Sequence, residues 1–141
     1  MWKLHKQGAA QSAPLSGKTT KARGDAAEDQ ALAHLQRKGL ELVSRNFRTP
    51  GRGGGEVDLI MREADGTLVF VEVRQRAGLA HGGAGGSITV HKQKRIVLAA
   101  RHFLWQLGSE PACRFDVVLI GRDSEQVPQW IQGAFEAPAT F

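Results

Sequence analysis

The sequence predicts an α/β domain in which a mixed central β-sheet is flanked by helices. Three observations carry that expectation. The element order reads helix, three strands, helix, strand, which places helices against a sheet rather than in a bundle or beside a sandwich. A short turn, Ala64-Asp65-Gly66, joins two runs of alternating residues, the mark of an antiparallel hairpin. At 141 residues, 41% hydrophobic and 23% charged, the chain can build one compact core and is too short for two.

Each element has its own signal. Residues 1–20 read as a flexible basic leader, with Gly, Ser, Pro and Gln and no apolar periodicity, so the domain is taken as 21–141. A helix is expected over 20–38, stopped by Gly39 at the position where a left-handed residue ends helices. Residues 40–48 form a first strand. Gly51 to Gly55, with four glycines among five residues, make a permissive turn into a second strand over Glu56–Arg62. Gly66 suits a left-handed position in the hairpin loop, and the third strand covers 67–76. The stretch 78–87 holds five glycines and reads as a loop. The second helix spans Val90–Leu107, with Ile96, Ala99, Ala100, Phe103 and Leu107 on one stripe. Cys113–Ile120 is another strand, and 130–135 a last short one.

Composition excludes several classes. No apolar run reaches the length needed to cross a bilayer, and the N-terminus lacks the apolar stretch of a secretory signal. A single cysteine, Cys113, cannot form an intramolecular disulfide; a cytoplasmic location is expected. The net charge of +5 is matched by the N-terminal stretch before Asp25: Lys3, Lys6, Lys18, Lys21 and Arg23 precede the first acid, leaving 14 basic residues against 14 acidic ones. Inside the domain, residues 73–109 contain no Asp or Glu, whereas Arg74, Arg76, Lys92, Lys94, Arg95 and Arg101 lie there. Such segregation makes a field that draws polyanions; a solvated basic face is the plainer reading of the same residues. Ser16-Gly17-Lys18-Thr19 lacks the first glycine and the preceding strand of a phosphate-binding loop. The histidines show no zinc-like spacing with Cys113.

The hairpin holds the chemistry. Alternation along a strand sets Glu56 and Asp58 on one face and Val57 and Leu59 on the other. In the partner, Phe70, Glu72 and Arg74 share a face opposite Val69, Val71 and Val73. With 64–66 as the loop, positions summing to 130 oppose each other, and Asp58 faces Glu72. Two facing carboxylates repel, and a divalent cation relieves the repulsion. Hard oxygen donors suit Mg²⁺ or Mn²⁺ rather than zinc. On the first helix Glu28 falls with Gly24, Ala31, Leu32, Leu35 and Gly39, an inward stripe where an unpaired charge is costly. It is therefore either a third acid of the site or half of a buried ion pair with Arg74 or Arg76.

The residues Gly55-Glu56-Val57-Asp58-Leu59-Ile60, followed by 68–76 with Glu72 and Arg74, resemble the signature of the YraN family. These are small bacterial proteins regarded as predicted endonucleases, similar in fold to archaeal Holliday junction resolvases. Residues 24–35 with Glu28, Lys94-Arg95, 115–118, and Trp130-Ile131 with Ala134-Phe135 match as well, so the resemblance covers about 21–136. It implies a restriction-endonuclease-like, PD-(D/E)XK core, with Asp58 and Glu72 as metal ligands, Glu28 as accessory metal-site acid, and Arg74 where the nuclease motif has lysine. Arginine stays charged and cannot serve as general base. It can hold the scissile phosphate, leaving water activation to Mg²⁺ or Mn²⁺ and to Glu56 as an accessory group. Arg76, Lys92, Lys94 and Arg95 are the expected phosphate contacts. The partner implied is nucleic acid, DNA ahead of RNA and branched DNA within reach. Resolvase-like enzymes usually dimerise, which raises a homodimer. Two other readings stay open: a nucleic-acid-binding module that keeps the fold without cutting, and an interaction domain whose acids merely pair with arginines.

Overall fold

The computed structural model describes residues 20–76, 88–123 and 126–138. The expected leader up to residue 19, with its 16–19 segment, and the glycine-rich loop at 78–87 lie outside the described residues. Helix α1 spans Thr20–Arg37. Strands β1 (Glu41–Arg48), β2 (Glu56–Arg62) and β3 (Leu68–Gln75) follow it. Helix α2 (Val90–Leu107) then leads to β4 (Cys113–Ile120) and β5 (Gln129–Phe135). The five strands form one mixed sheet in sequence order, antiparallel throughout except for the parallel β3–β4 pair that α2 connects. A parallel neighbour requires such a crossover, because a tight turn only reverses the chain.

The helix ends follow backbone rules. Leu40 N–H donates to Leu35 O at 3.1 Å and Gly39 N–H to Gln36 O at 3.0 Å, with Gly39 at φ 100°. This is a Schellman ending, and Leu35 and Leu40 pack together in the core beneath it. Thr89 caps α2, its hydroxyl accepting from the Lys92 N–H at 3.1 Å.

Each helix seals one face of the sheet. Ala27, Ala31 and Leu35 of α1 bury Leu59, Met61, Val69, Val71, Val118 and Ile120. Ile96, Val97, Ala99 and Ala100 of α2 bury Val57, Ile60, Leu68, Phe70, Phe115 and Val117. The strands are apolar on both faces because both are covered. Gly55 lets β2 start directly under α2: a Cβ there would lie 2.3 Å from Arg95 O and 2.6 Å from Ala99 N. Leu107, expected on the buried stripe of α2, is instead exposed, because the helix outruns the sheet. Gly24 and Gly39 are also exposed; the inward face of α1 consists of Ala27, Ala31, His34 and Leu35.

The hairpin register is the expected one. Leu59, Ile60, Met61 and Arg62 pair with Val71, Phe70, Val69 and Leu68. The ladder stops at Leu59–Val71, one step short of Asp58 and Glu72. The expected common face of Val57 and Leu59 does not hold: Val57 packs under α2 and Leu59 under α1. The neighbouring strand reverses at the same level, since Arg45 reaches α1 while Phe47 stacks edge-on against Phe103 of α2. Between them Asn46 has φ 54°, and the Asn46/Asp58 position is missing from the β1–β2 pairing. A left-handed residue switches the facing of the chain beyond it, so the kink re-aims Asp58.

Candidate active site

The kink places Asp58 where β2 and β3 part, at the edge of the sheet between the two helices. The Asp58 carboxylate accepts the Val73 N–H at 2.8 Å, taking the place of a ladder bond. Glu72 follows on β3 and is buried. The interaction between the two carboxyls is unequal, raising the proton affinity of Glu72 and lowering that of Asp58. Glu72 is pushed up to about 8, first by burial and then by the negative charge of Asp58. Asp58 is also raised by burial, although the Val73 N–H, the bond to Glu72 and the charge of Lys92 pull the other way. Around neutral pH the pair therefore holds a proton between its two acids.

Glu28 comes from α1 with its side chain only 13% exposed. Its Oε1 accepts from Arg45 Nε at 3.3 Å and Asn46 Nδ2 at 3.2 Å. Burial and the charge of Asp58 raise its pKa, against the pull of these two donors. The ion-pair partner is thus Arg45 on β1, where Arg74 or Arg76 was expected. Arg74 lends its charge to Glu72, and Arg76 donates to Gln129 on β5. Asp29 also holds Arg45, at 2.8 Å.

On the α2 side, Lys92 Nζ stands 3.6 Å from Glu72 and 3.7 Å from Glu56. Arg95 reaches Glu56 at 3.4 Å and donates to Gly54 O at 3.2 Å. Both were expected as phosphate contacts, and both stand beside the acids. Helical spacing explains why: Lys92 and Arg95, three apart, flank the stripe that rests on the sheet. Lys94 lies on the exposed side.

The structure therefore brings Glu28, Glu56, Asp58, Glu72, Arg74, Lys92 and Arg95 to one end of the sheet, and leaves Arg76 and Lys94 around it. Among the described residues no three of His, Cys, Asp and Glu stand close enough together to hold an ion between them. Asp58 and Glu72 are the paired donors; Glu28 is tied to Arg45 and Asn46. Mg²⁺ commonly takes one or two protein carboxylates and completes its shell with water and substrate phosphate oxygens, so two acids suit it. Sequence reasoning missed Arg45 and Asn46. A polar Arg-Asn pair inside a strand, with Asn the residue most tolerant of positive φ, was the available signal.

Comparison with known proteins agrees on one family. A family model described as "Uncharacterised protein family UPF0102" matches residues 27–120. A "UPF0102 protein" of Acidovorax sp. (strain JS42) is 63% identical over 126 residues, covering 89% of this chain and 92% of its own. A protein of the same name from Albidiferax ferrireducens is 63% identical over 119 residues, 84% of this chain and 91% of its own. That of Verminephrobacter eiseniae is 64% identical over 120 residues, 84% of this chain and 81% of its own.

Proposed function

This chain belongs to the uncharacterised protein family UPF0102, and from the chemistry of its site we propose that it is a metal-dependent endonuclease on a PD-(D/E)XK-type core, hydrolysing phosphodiester bonds in nucleic acid, DNA ahead of RNA. One observation carries the reading. Two acids, half-buried Asp58 and buried Glu72, are set side by side at a fork in the sheet, and burial together with the charge of Asp58 pushes Glu72 up to about 8. Natural folds seldom keep such a pair for stability alone, and perturbed carboxyls in one cleft mark sites of chemistry.

The donor set fits Mg²⁺ or Mn²⁺: all-oxygen, anionic and hard. Asp58 and Glu72 would hold the ion, which when bound supplies Lewis acidity and a more acidic water. The chain's own groups do the rest. Lys92, 3.6 Å from Glu72, and Arg74 neutralise the incoming phosphate and the charge that grows on its oxygens. Glu56, between Lys92 and Arg95, is placed to accept the proton of the attacking water. Glu28, fixed by Arg45 and Asn46, adds negative potential beside Asp58. In hydrolysis the water oxygen bonds to phosphorus, and the bond from phosphorus to one sugar oxygen breaks. That oxygen leaves with a proton, giving one phosphate end and one hydroxyl end.

The test is a panel of single-stranded, duplex and branched DNA and of RNA, incubated with purified protein and Mn²⁺. Cutting that disappears in Asp58→Ala, with the variant still folded, is the expected result. Binding with no cutting of any substrate favours a non-catalytic module, and neither binding nor cutting favours an interaction domain. No helix among the described residues is long and apolar enough to cross a membrane.

A further inference from the structure

The far end of α2 carries a second feature that the acid site does not use. Between the last turns of the helix and the segment leading to β4 lies a cavity of about 670 Å³, walled by Arg101, Leu104, Trp105, Glu110, Pro111 and Cys113. Trp105 is 78% exposed, an unusual position for the residue with the largest apolar ring system. Its ring is nevertheless braced from behind. His102 lies 6.0 Å from it, Phe47 6.1 Å from His102, and Phe103 5.4 Å from Phe47, a relay of rings that ends on Phe70 in the core. The indole is thus exposed at the end of a chain of rings, with His102 beside it.

Its surroundings say what it is presented to. Lys94, Leu98, Arg101 and Trp105 fall on one exposed stripe at helical spacing. Lys94 and Arg101 make no ion pair with any described residue, and α2 contains no Asp or Glu. Charged residues are depleted in the cores of protein–protein interfaces, whereas cations leading to an open aromatic ring are the grammar of single-stranded nucleic acid binding. The stripe runs along the exposed face of α2 from Lys94 to Trp105, eleven residues on, while Lys92 at the acid site lies on the sheet-facing side of the same helix. The stripe is roughly 16 Å long at the helical rise, or about five nucleotide steps at duplex spacing.

We propose that the cavity at Trp105 receives an unpaired base of the same nucleic acid whose backbone passes the acid cluster. Trp105 stacks on the base, Lys94 and Arg101 hold the intervening phosphates, and Ser109 and Glu110 offer hydrogen-bonding groups to the base edge. The inference rests on the reading above in needing a nucleic acid, and not in needing hydrolysis. The substrate class it names is a duplex with a single-stranded tail or a branch, in which unpaired bases lie a few steps from paired ones.

The experiment measures anisotropy of fluorescein-labelled oligonucleotides in excess chelator, so that binding is read without cutting. A duplex bearing a single-stranded tail is compared with a blunt duplex of equal length. Trp105→Ala is expected to weaken tailed-duplex binding roughly tenfold, the loss of one stacked base, and blunt-duplex binding less than twofold. Trp105→Phe, which keeps a stacking ring, is expected to restore most of the affinity. Equal affinity of wild type and Trp105→Ala for the tailed duplex overturns the proposal, as does an equal loss on both ligands or no binding by the wild type. A wild type that binds with this Trp105 dependence but never cuts in Mn²⁺ supports the cavity and counts against hydrolysis. One that cuts tailed duplex as well without Trp105 counts against the cavity alone.

Discussion

Glu72 is the residue on which the site's energetics turn. Its folded pKa, about 8, lies above the ordinary 4.5 of a glutamate. A folded chain therefore binds a proton here that the unfolded chain has lost, so this group's contribution to stability is complete below pH 4.5. It declines as pH rises and is gone above about 8. Glu72→Gln, which cannot ionise, is expected to melt close to wild type at pH 5 and at least roughly 3 °C higher at pH 9, the shift for about 1 kcal/mol in a chain of this size. Thermal unfolding followed at both pH values checks this, and a lower melting point at pH 9 would mean that the charge is welcome. A divalent cation reverses the sign by favouring the carboxylate. Mn²⁺ should raise the wild-type melting temperature at pH 7 and release protons, measurable as buffer-dependent heat in calorimetry, and Glu72→Gln should show neither effect.

The strands and helices position these residues through two devices. The first is the face reversal at Asn46 and Asp58. Asn46→Gly keeps access to positive φ and is expected to be nearly neutral in stability. Asn46→Val forces a β-branched residue into a left-handed conformation, at a cost of about 1–3 kcal/mol in chemical denaturation. The second is Asp116, fully buried on β4. It accepts from Arg114 at 2.9 Å, Trp130 Nε1 at 2.8 Å and Gly133 N–H at 3.0 Å, so it ties β5 to the sheet. Asp116→Ala leaves the Arg114 and Trp130 donors without it and should lose roughly 3 kcal/mol, as broken buried charge pairs do; full stability in this variant would show that the apolar packing of β5 suffices.

At this scale the sequence was most readable where a single periodicity rules. β2, α2 and β4 have their expected limits, and the hairpin register follows from Gly66 and a three-residue loop. The pairing of Asp58 with Glu72 was legible because each acid interrupts an apolar pattern, whereas Glu28, expected with them as a third acid, is tied to Arg45 and Asn46. Alternation failed at Val57, because one left-handed residue in the adjacent strand resets the facing of both chains, an event that no period in β2 encodes. Arg45 went unseen as the partner of Glu28 for a related reason: a pairing 17 positions apart depends on where α1 crosses β1, which local pattern does not fix.

For the molecule as a whole, the charge distribution matters more than its sum. Acids gather at the fork, and α2 extends from it as a cationic rod without an acid. Association with nucleic acid should therefore weaken steeply with salt. Lys94→Gln is expected to reduce the slope of log affinity against log salt concentration by about 1 while leaving the melting temperature unchanged. An unaltered slope would remove Lys94 from the phosphate path.

The bond from Val73 to Asp58 has a use of its own. An amide proton 2.8 Å from a carboxylate oxygen resonates at a frequency set by the charge on that oxygen. In a nitrogen–proton correlation spectrum, one peak would report whether Asp58 carries its proton, a metal or a phosphate neighbour, with no side chain altered and no substrate cut. The gap where two strands separate thus comes with its own indicator, written into the main chain.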